Sequence, residues 1–150
     1  MTLSPIDVSS AQEATVSRQL WKAAKDANTG RVLYLIMKHE PKSIDPEIFK
    51  WAVTSFSIPM MKALLERNHA MLNWTYDYLG TPLMLACIGQ APSAFVKFLL
   101  ESGADANLVP ETVDYTAMQV VVTCYQNDRQ CIEMINLLVL FGATMDGVLA

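Results

Sequence analysis

Histidine is almost missing from this chain: His39 and His69 are the only two in 150 residues. Neither has a second ligand at metal-binding spacing, and no G-x-S-x-G or phosphate-cradling glycine loop occurs. No carboxylate pair stands out in an apolar setting; Asp26 and Asp128 fall in different turns between helices. No enzyme, catalytic residue, cofactor or metal site is therefore expected. Cysteine is scarce too. Cys87, Cys124 and Cys131 are odd in number and lack C-x-x-C spacing, which argues against a disulfide framework. They read as small buried thiols in a cytoplasmic or nuclear protein. In that compartment the formal glycosylation sequon Asn73-Trp74-Thr75 carries no weight.

Long apolar runs are missing as well. The longest candidate, Met134 to Gly142, is interrupted by Asn136 and falls short of the roughly 18 residues of a membrane span, so no membrane is expected as a partner. The opening M-T-L-S-P-I-D-V-S-S has no basic stretch followed by an apolar core. Thr2 follows the first Met where myristoylation needs glycine, so neither a signal peptide nor that lipid is expected. Positive charge is thin: 11 Lys and Arg against 15 Asp and Glu, a formal charge of −4. Without a basic stripe to track phosphates, nucleic-acid binding is not expected.

Apolar side chains, by contrast, make up 52% of the chain. That is enough for a packed domain and too much for a disordered tail. The clearest organisation lies at Gly80 to Asn107. Thr81 is placed to cap a helix, Pro82 to occupy its first position, and Leu83, Leu85 and Ala86 to face inward. Gly89 and Pro92 interrupt. Ser93 then reads as the cap of a second helix, Ala94–Ser102, with Phe95, Phe98 and Leu99 at i, i+3 and i+4. Gly103 reads as a left-handed helix stop. Two helices this short cannot bury their own faces, so they must stack on others.

These residues carry a resemblance. T-P-L-x-x-A followed by F-V-K-F-L-L-x-x-G-A-D-x-N resembles an ankyrin repeat. The resemblance implies an all-α fold, an ankyrin-repeat solenoid of stacked helix-turn-helix pairs with short projecting hairpins. It also implies a protein-binding function.

Weaker copies flank it. Small residues line up at Ala23, Ala52, Ala86 and Val121, with spacings of 29, 34 and 35 residues; an ankyrin period is about 33. The repeats fall at about 10–44, 45–73, 74–107 and 108–147, in a single domain spanning 10–147. Residues 1–9 read as a flexible arm. Ser10-x-x-Glu13 reads as a capping box, with a helix from about Ala11 to Ala27 and another from Arg31 to His39. Asp45 caps the next helix, with Pro46 and Glu47 in its first turn. His69 stands where the repeat has glycine and is expected to serve as a non-glycine helix stop. The polar stretch Tyr125 to Gln130 is expected to form a longer loop between the helices of the fourth repeat.

In proteins of this kind, partners lie against the hairpin tips and the exposed sides of the first helices. Carried over, the tips are Trp74, Tyr76, Asp77 and Tyr78, then Val109, Glu111, Thr112 and Asp114. The helix positions are Met84 and Ile88, then Gln119 and Thr123. Three large aromatics within five residues exceed what a hairpin needs, and such residues carry much of the energy at interfaces. Asp77, Glu111 and Asp114 make the tips acidic. The expected partner is another protein or peptide, with an amphipathic or basic segment. The competing expectation is a structural or oligomerisation role. It would use the region of Ile135, Leu138, Phe141 and Val148, because the chain ends at Ala150 without a polar closing helix. A fragment of a longer protein, a fourth repeat capped by its own longer loop, and a covered end each account for that ending. The fragment is the favoured expectation.

Overall fold

The structure, a computed structural model, describes residues 5–145, with side chains from residue 11 onward. Eight α-helices and a 3-10 turn form its regular structure, and no strand longer than an isolated bridge occurs among the described residues. The helices are α1 (Pro5–Lys25), α2 (Thr29–His39), α3 (Pro46–Ser55), α4 (Ile58–Arg67), α5 (Pro82–Ile88), α6 (Ser93–Glu101), α7 (Ala117–Cys124) and α8 (Asp128–Leu140), with the 3-10 turn at His69–Asn73. The chain divides into two compact units, Met1–His69 and Ala70–Ala150.

In the N-terminal unit α1 packs on α2 and α3, and α4 packs on α2 and α3. First helices lie on first helices, and second on second. The apolar spacing dictates this. Val16, Leu20, Ala23 and Ala24 recur at helical intervals on α1 and are buried, as are Val32, Leu35 and Ile36 on α2. Ile48, Phe49, Ala52 and Val53 bury the matching face of α3. The caps explain the boundaries. Asn28 accepts from the Arg31 N–H, Asp45 from the Glu47 N–H at 2.8 Å, and Ser57 from the Met60 N–H.

The C-terminal unit repeats the scheme, with α5 on α6 and α7, and α8 on α6 and α7. Thr81 caps α5, accepting from the Met84 N–H at 3.2 Å, and is itself buried. Thr116 caps α7 in a full capping box: its hydroxyl accepts from the Gln119 N–H, and the Gln119 amide oxygen accepts from the Thr116 N–H. Gly103 and Gly142 end the second helices with φ of +111° and +92°.

Several boundaries differ from the sequence reading. α1 begins at Pro5, so residues 5–9 are helical and Ser10 lies inside the helix rather than at its cap. Pro5 is the start signal that the Ser10 pattern obscured. Ala27 has left already: its φ of +55° closes the helix. His69 does not act as a left-handed stop. α4 ends at Arg67, Asn68 follows at φ −153° and ψ 89°, outside the left-handed region, and His69 opens the 3-10 turn. Ser93 sits in the first turn of α6, and Pro92 precedes it without any side-chain cap. Asn127 caps α8 by accepting from Gln130, which leaves only Tyr125 to Asn127 between α7 and α8. The expected longer loop, and any capping by it, therefore disappear. Asp146, Gly147 and Val148 lie outside the described residues.

Candidate protein-interaction surface

The first hairpin folds around one antiparallel bridge. The Tyr76 N–H donates to the Gly80 carbonyl at 2.8 Å, and the Gly80 N–H donates back at 3.0 Å. This tight return requires positive φ, +64° at Tyr78 and +85° at Gly80. It also sorts the three aromatics. Tyr76 turns inward and is buried, Trp74 is half-exposed, and Tyr78 stands 81% exposed at the tip. The bridge fixes Tyr76 at the base of the turn and the positive-φ backbone carries Tyr78 out to the tip, so Tyr76 is corrected from a contact residue to a packing one.

Met84 is corrected in the same way. It is 1% exposed, because Gly80 leaves room for it. A Cβ added at Gly80 would stand 2.5 Å from the Met84 sulfur. Ile88, one turn on, is 42% exposed. Gln119 is half-buried, with its amide oxygen engaged in the α7 cap, while Thr123 is exposed. Asp77, Val109, Glu111, Thr112 and Asp114 are all exposed. The two tips touch where the Tyr78 N–H meets the Thr112 hydroxyl at 3.4 Å.

The structure brings some of these residues together. Ile88 from α5, Gln119, Val120, Thr123 and Cys124 from α7, and Tyr115 just ahead of α7 line a mainly apolar groove of about 220 Å3. Tyr115, Val120 and Cys124 are the members the sequence reading missed; for Tyr115, its place just before the Thr116 cap was the available signal. The region expected to self-associate is less apolar at its surface than expected. Leu138 is fully buried, Ile135 and Phe141 are half-buried, and Val148 lies outside the described residues. The exposed apolar residues of α8 are instead Ile132, Val139 and Leu140.

All three cysteines are free. Burial and the neighbouring Cys124 push the Cys87 thiol up to about 12, so it stays protonated at neutral pH. Burial first, then the nearby thiols, raises the Tyr125 phenol, whose hydroxyl donates to the Ala91 carbonyl at 2.8 Å. Among the described residues no group of three His, Cys, Asp or Glu is placed to hold a metal, and no helix is long and apolar enough to cross a membrane.

The sequence missed a second surface, on the N-terminal unit. Trp21 and Trp51 meet edge-on, with ring centroids 6.3 Å apart. The Lys25 ammonium lies 4.8 Å from the Trp21 ring and 5.7 Å from the Trp51 ring, and the Lys50 ammonium lies 5.5 Å from Trp51. The repeat line-up was the signal: it places Trp21 and Lys50 at the position of Met84, and Lys25 at that of Ile88.

No curated protein matches the chain. Residues 80–110 match the family model of the ankyrin repeat. That segment holds the Thr81 cap, the α5–α6 pair and the left-handed Gly103, and helix pairs of the same build flank it. Ankyrin repeats generally act as protein-interaction modules and typically not as catalysts, and residues 80–110 form one such repeat within an all-helical chain whose other helix pairs are similar in build.

Proposed function

We propose that the C-terminal unit binds a segment of another protein along the α5–α7 groove and the two hairpin tips. The observation that carries this reading is Tyr78: a large aromatic ring held almost fully in solvent on a strained, positive-φ backbone. A ring that stabilised its own fold would be covered; an interface anchor waits exposed. Ile88 and Tyr115 offer apolar contact in the groove of the same unit, and the exposed Asp77, Glu111 and Asp114 make the two tips acidic. The segment best suited has an apolar centre with basic flanks. The three free thiols support placing this interaction inside the cell, in cytoplasm or nucleus.

The test is affinity capture from the source cell with the native chain and a Tyr78→Asp/Ile88→Asp variant of matched melting temperature. Partners held by the first and lost by the second support the groove, and calorimetry on a purified partner then measures the loss. Identical captures by both would refute it.

A second reading is favoured by α8 alone. Ile132, Val139 and Leu140 stand exposed along it, and such side chains could join two copies. Sedimentation of the native chain and a Leu140→Lys variant separates the readings, because only self-association through α8 makes the native chain the heavier species.

A further inference from the structure

The two units carry opposite charge. Residues 1–69 hold nine Lys and Arg against seven Asp and Glu, a formal +2; residues 70–150 hold two against eight, a formal −6. The positive charge of α1 is not scattered. Arg18, Trp21, Lys22 and Lys25 follow i, i+3, i+4 and i+7, so they share one helix face. α3 adds Lys50 and Trp51. Lys22 and Lys50 already have carboxylates, Asp26 at 3.4 Å and Glu47 at 2.7 Å. Among the described residues, Lys25 and Arg18 form no ion pair. Lys25 instead lies over both indole rings. The Trp51 indole N–H is buried there with no acceptor among the described residues.

We infer that this Trp21–Trp51 face docks an acidic peptide segment of a partner protein. A cation held over an aromatic face keeps its outer side for an anion. A carboxylate meeting Lys25 there gains a charge-assisted hydrogen bond in a setting partly dried by two indoles. Arg18, about two helical turns away along the same face, would take a second carboxylate bidentately. A carboxylate that draws Lys50 off its ring would reach the unpaired Trp51 N–H. A nucleic acid suits the face less well. Two of its four cations are already neutralised by Asp26 and Glu47, and a phosphate backbone needs a continuing row of free cations. This site is independent of the α5–α7 groove: it lies on the other unit and takes a partner of opposite charge.

The test uses the whole chain carrying Trp74→Phe, which leaves Trp21 and Trp51 as its only tryptophans. Hexaglutamate is titrated at low ionic strength while indole fluorescence is followed, with hexalysine as control. The expected result is a saturable change with hexaglutamate alone. It should be lost in 0.5 M salt, an on-the-order-of value well beyond the screening of exposed charge, and weakened at least about tenfold by Lys25→Glu. Lys25→Met keeps the aliphatic stem over the rings and serves as the folded control should Lys25→Glu melt early; it should weaken binding too. Lys97→Glu, a charge reversal on the other unit, should change nothing. No saturable signal, or equal binding by the Lys25 variants, overturns the inference. Tighter binding of an oligothymidylate than of hexaglutamate overturns it in favour of nucleic acid. A fluorescence change that depends on protein concentration alone, and vanishes in Lys25→Glu, overturns it in favour of a second copy of the chain.

Discussion

The two units build the same helix pairs by different means. In the C-terminal unit, polar side chains reach across about one repeat. The Asn73 amide donates to the Gly103 carbonyl at 3.3 Å and accepts from the Asp105 N–H at 2.9 Å. Asn107 does the same for Gly142 and Thr144, at 2.8 and 2.9 Å. The Tyr125 hydroxyl ties α7's end to Ala91, 34 residues back. In the N-terminal unit the corresponding link is the Thr29 hydroxyl to Ser57 at 2.8 Å. There, cations on rings cover the surface instead: Lys25 and Lys50 on the tryptophans, Arg31 and Lys38 on Tyr34. Helix stacking thus needs the apolar face alone, while a recognisable repeat needs the polar links as well. The family model matches 80–110, the pair whose end Asn73 holds through Gly103 and Asp105.

If apolar packing is common to both units, removing the largest buried ring from either should cost the same. Phe49 and Phe95 are both fully buried, one on α3 and one on α6. Each change to Ala should cost about 3–5 kcal/mol in denaturant unfolding. A clearly smaller loss for Phe49→Ala would mean that the N-terminal unit is less closely packed and the parallel fails. The next effect belongs to the hairpin. Gly80→Ala places a Cβ at 2.5 Å from the Met84 sulfur on a backbone of φ +85°, and should cost about 1–3 kcal/mol. Met84→Ala opens a cavity of its own, so the steric part is read as the coupling in a double-mutant cycle: Gly80→Ala should cost less in the Met84→Ala background, where only the strain of the turn remains.

The polar links give a sharper contrast. Asn107→Ala removes two hydrogen bonds that join successive repeat ends. The site is exposed, so water partly replaces them, and a loss of about 1–2 kcal/mol is expected. Asn73→Ala should match it. Thr29→Ala removes one hydroxyl bond in the other unit and should cost less, about 0.5–1 kcal/mol. Equal losses in all three, read from thermal melts, would erase the distinction drawn between the units.

What the sequence revealed follows the same division. Thr81, Pro82 and Gly103 were legible because caps and left-handed stops are local: each is decided by residues within about one turn. Their bonds and angles are those expected. Tyr76 and Met84 were misread because burial is not local. A bridge from Tyr76 to Gly80 turns one inward, and the missing side chain of Gly80 makes a space for the other. Ser10 and Ser93 show the converse error, in which a good capping residue is overridden by a proline upstream or adjacent. The Trp21–Trp51 face went unseen because its residues were read singly along the chain. Only the pairing of α1 with α3 brings the two indoles to one place.

The smallest expected effect bears on the cations themselves. Lys97 and Glu101 form an exposed pair at 3.8 Å on α6, at the edge of what counts as contact. Lys97→Ala should change stability by no more than about 0.5 kcal/mol, because solvent screens the pair and two long side chains lose freedom to make it. Lys50 is also surface charge, yet it is more enclosed, pairs with Glu47 at 2.7 Å and lies on the Trp51 ring. Lys50→Ala should therefore cost more, about 0.5–1 kcal/mol. The two parts separate with salt. At high ionic strength the ion pair is screened, while the stem of Lys50 still covers the indole. A Lys50 loss that persists in salt, beside a Lys97 change that stays near zero, would mean that positive charge in the N-terminal unit is held in place by its aromatic rings. Equal and vanishing losses would mean that both lysines are ordinary solvated charges, and the contrast between the two units would then rest on their polar links alone.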